Sequence, residues 1–151
     1  MQTNTDVERF LKAQNAPLDG YDTALKEIKA GKKTSHWIWY ISPQLRCLGH
    51  SHRANYYGIA GRAEAEQYLK HPLLASRLRE ITAALLMHKD LTAVSILGGI
   101  DAQKVCSCMT MFDILSPNDI FGEVLQTFYA AKRCELTLQV MQECFAASVD
   151  E

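Results

Sequence analysis

The sequence predicts an all-α protein: a single compact multi-helical domain of about six to eight helices, broken by an irregular Trp-rich segment. Three observations carry that expectation. Apolar residues recur at three- and four-residue spacing along most of the chain, with capping residues and glycines where the runs begin and end. No window alternates apolar and polar residues long enough to make a half-buried strand. The 151 residues, 48% hydrophobic and 22% charged, suffice for one core and exclude a disordered chain. The expected domain covers residues 1–151, with a core over 5–146 and flexible ends.

The elements follow in order. Asp6 to Gln14 sets Val7, Phe10 and Leu11 at helical spacing, with Thr5 as N-cap. Tyr21 to Ala30 repeats the pattern through Ala24, Leu25 and Ile28, and Gly31 stands where a C′ residue ends a helix. Trp37-Ile38-Trp39-Tyr40-Ile41 has the composition of a strand. A lone strand leaves its backbone unpaired and Pro43 follows at once, so the segment reads as buried helix or irregular structure. Arg62 to Lys70 is a short helix closed by His71-Pro72. Pro72 opens the next helix, whose stripe is Leu74, Leu78, Ile81 and Leu85. Leu91 to Leu97 is a brief apolar stretch stopped by Gly98-Gly99, after which Asp101 caps a helix running to Leu115. Ser116-Pro117-Asn118-Asp119 offers an N-cap, a proline at N1 and an acid at N3. A last helix spans Glu135 to Phe145 through Leu136, Val140, Met141 and Cys144.

Charge and cysteine usage narrow the function classes. Sixteen Lys+Arg against seventeen Asp+Glu leave a formal charge of −1, which argues against a dedicated nucleic-acid binder. Lys26, Lys29, Lys32 and Lys33 cluster where the second helix ends and read as a solvated face that suits the helix dipole. No apolar run approaches the roughly 18 residues of a membrane span. The start, MQTNTDVERF, lacks the basic and apolar blocks of a signal peptide, so the expected setting is cytoplasmic with no membrane partner. The odd number of cysteines, five, argues against a disulfide framework; they read as plain thiols, mostly buried. Cys106 and Cys108 lie about 200° apart on a helix and cannot chelate one metal, and His50-x-His52 has no third ligand. No metal and no cofactor are expected.

Residues 32–59 differ from the rest. Both tryptophans, three of the six tyrosines and three of the five histidines fall there, among Ser35, Gln44, Arg46, Ser51 and Asn55. Aromatics interleaved with a few hydrogen-bonding groups are the usual lining of a small-ligand pocket. Trp37 or Trp39 can stack on a planar molecule, and Arg46 can fork onto a phosphate or carboxylate. Gln44 and Ser35 can orient the ligand, Tyr57 is a further binding candidate, and His36 is the acid–base candidate because its ordinary pKa lies near neutrality. The same residues also read as packing: W-x-W as a core anchor, His36 as a structural histidine and Arg46 as the partner of an acidic side chain. Ser35 and His36 are adjacent, and adjacent side chains diverge, which disfavours a catalytic triad.

A second constellation lies on the helix from Asp101. Val105, Cys108, Met109, Phe112 and Leu115 make its apolar stripe, and Asp101 and Lys104 fall within or beside that stripe. Charges aimed toward a core must be paired or lie at a cleft. Asp101 and Lys104 therefore either pair locally at i, i+3 or join the pocket as an acid and an electrophile.

Several stretches are similar to the domain of unknown function 1810 family: R-F-L-K-A-Q at 9–14, Y-D-T-A-L-K-E-I-K-A-G-K-K-T-S-H-W-I-W-Y-I at 21–41, P-Q-L-R at 43–46, Y-G-I at 57–59, Y-L-K-H-P at 68–72, L-R-E at 78–80 and S-x-M-T-x-F at 107–112. The likeness runs through nearly the whole chain, and G-K-K-T-S-H-W-I-W is its most specific part. The resemblance implies a mainly α-helical fold and carries no established activity, substrate or cofactor. Some members of the family carry a calpastatin label, but nothing here resembles a calpain-inhibitor repeat. Ser35, His36, Trp37, Trp39, Pro43, Gln44, Arg46, Tyr57, Gly58, Lys104, Ser107 and Thr110 match its motifs. Ser42, Cys47, Cys106 and Cys108 depart from them.

The residues together point to a small-ligand pocket, with hydrolase or transferase chemistry on a nucleotide-like or other small anionic molecule as one reading. A non-catalytic protein-interaction or ligand-sensing module is the other. Oligomeric state is not readable from the chain.

Overall fold

The computed structural model describes residues 7–48 and 51–150, with side chains through Glu143. Thr5, His50, the expected flexible extreme ends and the Cys144 side chain lie outside the described residues. The all-α expectation holds: among the described residues there are ten α-helices, one 3₁₀ turn and no strand. The helices are α1 (Glu8–Gln14), α2 (Tyr21–Lys29), α3 (Ile38–Ile41), α4 (His52–Tyr57), α5 (Arg62–Lys70), α6 (Pro72–Leu86), α7 (Ala93–Leu97), α8 (Gly99–Leu115), α9 (Ile120–Phe128) and α10 (Glu135–Asp150), with the 3₁₀ turn at Arg46–Leu48. The count exceeds the expected one chiefly because the Trp-rich segment folds into the short helices α3 and α4.

Local chemistry sets most of the boundaries. Pro72 opens α6 as expected, and the His71 ring adds an unforeseen cap, its Nδ1 accepting from the N–H groups of Leu73 and Leu74 at 3.2 and 3.3 Å. Thr92 and Ser95 form a reciprocal capping box on α7. Helix α1 begins at Glu8, with Val7 in the N-cap position, rather than at Asp6, and two later starts also differ from the sequence reading. Helix α8 begins at Gly99 because Gly98, at φ 88°, takes the N-cap position in a conformation that favours glycine, and Asp101 falls into the first turn instead. Helix α9 begins at Ile120 with Asp119 as its cap, not at Pro117. Asn118 is left-handed at φ 64°, which breaks the chain direction between Ser116 and the helix. Arg79 and the Ser116 hydroxyl both bind the Asp119 carboxylate at 2.7–2.8 Å, fixing that break.

The core lies among α6, α8 and α9, with α2 packed on α6 and α10 packed on α5 and α8. A chain of fully buried rings runs through it: Phe10 against Tyr68 at 5.1 Å, Tyr68 against Phe112 at 5.6 Å, and Phe112 against Phe121 at 5.7 Å. Each such contact adds about 0.5–1.5 kcal/mol to the hydrophobic burial of the rings. One ion pair is sealed beside them. Arg9, on α1, meets both oxygens of Glu64, on α5, at 2.7 and 3.0 Å, and also donates to the carbonyls of Tyr56 and Gly58. The Glu64 carboxylate takes the Ala60 N–H as well, so the pair clamps the end of α4 to α1 and α5.

Among the described residues no helix is long and apolar enough to cross a membrane. The cysteines only partly follow expectation. Cys108 is a buried free thiol, Cys106 and Cys134 are half-buried free thiols, and Cys47 is disulfide-bonded rather than a plain thiol.

Candidate ligand pocket

The turn after α3 has to double back to reach α4, and a close backbone contact makes it do so. The Arg46 N–H donates to the Ile59 carbonyl and the Ile59 N–H to the Gln44 carbonyl, both at 2.8 Å, around an isolated parallel bridge between Leu45 and Ile59. Gly58 permits this approach: a Cβ there would stand 2.4 Å from the Arg46 Cα and 2.5 Å from the Ala54 carbonyl oxygen. The side chains of this doubled-back segment and one face of α8 leave a cavity of about 270 Å³ between them.

Trp39 of α3, Gln44, Leu45 and Leu48 of the turn, Ser51 and Tyr57 at the ends of α4, and Lys104 of α8 line it. The Lys104 ammonium sits 3.8 Å from the centre of the Trp39 ring, a close cation–π contact that holds both side chains at the wall. The Tyr40 and Tyr57 rings meet in a tilted contact at 5.1 Å. Burial, and then the neighbouring Tyr56, push the Tyr57 phenol up, so it remains a protonated donor at neutral pH.

Asp101 stands one helical turn from Lys104 and is shared. Its Oδ2 meets the Lys33 ammonium at 2.7 Å, while its Oδ1 is 3.7 Å from Lys104. The local i, i+3 pair is therefore the longer of two contacts. Lys33, expected on a solvated face, has only 6% of its side chain exposed; it lies 4.8 Å from the Trp37 ring centre and donates to the Ser35 carbonyl. Two cations share the Asp101 carboxylate, and Lys104 is the one at the cavity.

The rest of the Trp-rich motif is turned inward onto Glu27. The carboxylate of Glu27, on α2, accepts from the backbone N–H groups of Thr34 and Ser35 at 2.8 and 3.0 Å, from the Trp37 indole N–H at 2.9 Å and from the Ser35 hydroxyl. Burial alone would raise its pKa, but the bonds from Ser35, Thr34 and Trp37 outweigh that and hold it at about 2. The structure thus divides the expected site residues. Trp39, Gln44, Tyr57 and Lys104 meet at the cavity, and Asp101 stands directly behind Lys104. Ser35 and Trp37 are engaged by Glu27, with Trp37 only 1% exposed. His36 is exposed on the turn before α3 and off the wall. Arg46 is half-buried behind the wall, where its Cα abuts Gly58.

Sequence reasoning missed Glu27, Lys33, Arg9 and Glu64 as organisers of this region. A signal existed for Arg9, which neighbours Phe10 on the coreward side of α1 and so required a buried partner. None existed for Glu27, whose bonds are made only once the chain turns back after Gly31.

No curated protein matches the chain. Its fold is similar to the crystal structure of the conserved hypothetical protein Rv1873 from Mycobacterium tuberculosis, at 37% sequence identity and a TM-score of 0.86, covering 91% of this chain and 97% of that one. The model of the family described as "Protein of unknown function (DUF1810)" matches residues 4–141, and the chain belongs to that family.

Proposed function

We propose that the cavity binds a small planar anion: one aromatic or nucleobase-like ring carrying a carboxylate or phosphate. The observation that carries this reading is Lys104, a cation fixed on the Trp39 face at the wall and only partly neutralised by Asp101. The anionic group would meet the Lys104 ammonium, the ring would lie against Trp39 or Tyr57, and the Gln44 amide would supply orientation. A volume of about 270 Å³ is at the small end of ligand pockets, which favours one ring system over a dinucleotide.

The test is thermal denaturation across a panel of aromatic carboxylates and nucleoside monophosphates. A ligand at a hundred times its dissociation constant stabilises the folded state by about 2.7 kcal/mol, a rise in Tm of about 5–10 °C for a chain of this size. Lys104→Met should abolish the rise while leaving the unliganded Tm close to that of the parent, and added salt should weaken it. His36→Ala should leave it intact. A panel without any shift, or a shift that survives both Lys104→Met and Trp39→Ala, would overturn the reading.

A further inference from the structure

We propose that Cys106 and Cys134 form an oxidisable dithiol that closes into a disulfide when a peroxide reaches it. The two thiols lie away from the ligand pocket, where α8 meets the segment between α9 and α10. Both are free, both are half-buried, and both line one apolar groove of about 620 Å³ that opens to solvent. A small neutral oxidant can enter such a groove without paying for the desolvation of a charge.

The backbone brings them together. The Thr110 hydroxyl donates to the Cys106 carbonyl at 2.8 Å and accepts from the Cys134 N–H at 2.9 Å, so one side chain ties both cysteines to the same turn of α8. Contacts on both sides fix the register. Tyr129 donates to the Ala102 carbonyl at 2.6 Å, Arg133 reaches Asp113 at 2.8 Å, and the hydroxyls of Ser107 and Thr137 meet at 2.6 Å. The Cys106 thiol itself points at this segment, donating to the Lys132 carbonyl at 3.9 Å. Cys134 therefore stands against the same turn of α8 that carries Cys106, and both residues line the one groove. Burial, and next the proximity of the Cys134 sulfur, push the Cys106 thiol up, which suits Cys106 to the second step rather than the first.

In the first step the Cys134 sulfur attacks one peroxide oxygen. The O–O bond breaks, the departing hydroxide takes up the thiol proton as water, and Cys134 is left as a sulfenic acid. In the second, the Cys106 sulfur attacks the Cys134 sulfur, the S–O bond breaks, and the hydroxyl leaves with the Cys106 proton as a second water. Two thiols are oxidised to one disulfide and one peroxide is reduced to two waters.

The experiment treats the full chain with hydrogen peroxide, blocks remaining thiols by alkylation, and maps peptides without reduction, with fragmentation to assign the linked sulfurs. The expected product has lost two hydrogens, carries a Cys106–Cys134 link and reverts with dithiothreitol. Cys108, fully buried, should remain unmodified and so report that the fold stayed closed. Cys106→Ser should remove the link and leave a dimedone-reactive sulfenic acid on Cys134, and Cys134→Ser should remove the link as well. Oxidation of the two wild-type thiols to separate sulfinic acids, links to other chains in their place, or no reaction before unfolding would each overturn the proposal. The wild-type map decides the matter even if a variant fails to fold.

Discussion

Replacing Glu27 by glutamine tests whether the Trp-rich motif is organised around an internal anion. In the native protein the carboxylate receives three N–H groups and one hydroxyl, and its pKa falls from 4.5 to about 2. That fall corresponds to a ceiling of about 3.4 kcal/mol. The carboxylate is partly open to water, which screens the effect, so about 2 kcal/mol is the working figure. The sign is fixed by linkage. A carboxylate whose pKa is depressed by folding contributes fully above its unfolded value, and the contribution is lost as pH falls from about 4.5 toward 2. The amide can still accept from Thr34, Ser35 and Trp37 but carries no charge, so Glu27→Gln should be about 1–2 kcal/mol less stable than the parent at neutral pH. More than half of the gap should be gone near pH 3, and it should close only below pH 2. Glu27→Ala, which strands the Trp37 indole N–H, should cost about 3 kcal/mol. Urea unfolding followed by tryptophan fluorescence at neutral pH and near pH 3 measures both. Asp119, also lowered to about 2, first by Arg79, is present in both proteins and cancels from the difference. Parallel stability curves for parent and Glu27→Gln over the whole range would show that the motif does not depend on this anion.

Two further substitutions probe what shapes the cavity. Gly58→Ala sets a Cβ against the backbone of Arg46 and Ala54 rather than against a flexible side chain, so it should cost about 2–3 kcal/mol in urea unfolding; an unchanged midpoint would contradict the close-approach argument. Arg9→Met leaves the Glu64 carboxylate, 1% exposed, with one backbone N–H in place of its counter-ion and should cost about 3–5 kcal/mol. Adding Glu64→Gln should recover more than 1 kcal/mol of that loss, and strict additivity in the double-mutant cycle would argue against a coupled pair.

The parts of this fold that were legible in the sequence are those whose signal is local. Helices α2, α5 and α6 span several turns, so their periodicity and caps appear within one window. Helices α3 and α4, of four and six residues, are too short to show a period and are held by tertiary contacts such as the Arg9 clamp. The α9 start was misplaced because Ser116 and Pro117 imitate a helix entry that the left-handed Asn118 prevents. The W-I-W motif was ambiguous for a geometric reason. Positions two apart on one helical turn face nearly opposite ways, so Trp37 enters the core and reaches Glu27 while Trp39 faces the cavity. The packing reading holds for Trp37, and Trp39 lines the cavity. Lys33 was read as solvated because its partner, Asp101, arrives from a distant helix.

The electrostatics around Asp101 are what favour an anion as the proposed ligand of the cavity. If Asp101 neutralised Lys104 alone, the wall would present an internal ion pair and an apolar ring surface, fit for a neutral guest. Lys33 prevents that. It is the nearer cation, at 2.7 Å against 3.7 Å, and Coulomb attraction rises as the separation falls. It is also the more deeply buried, so it needs the counter-charge more, because desolvation penalises an unpaired ammonium in proportion to burial. The carboxylate is held more closely by Lys33, and Lys104, the ammonium that touches the cavity, is only partly compensated. The Trp39 ring can hold that ammonium in place but cannot neutralise it, since a ring face offers a quadrupole and not a charge. The carboxylate or phosphate of the proposed ligand would supply the missing counter-charge in a position where its own ring would meet Trp39 or Tyr57.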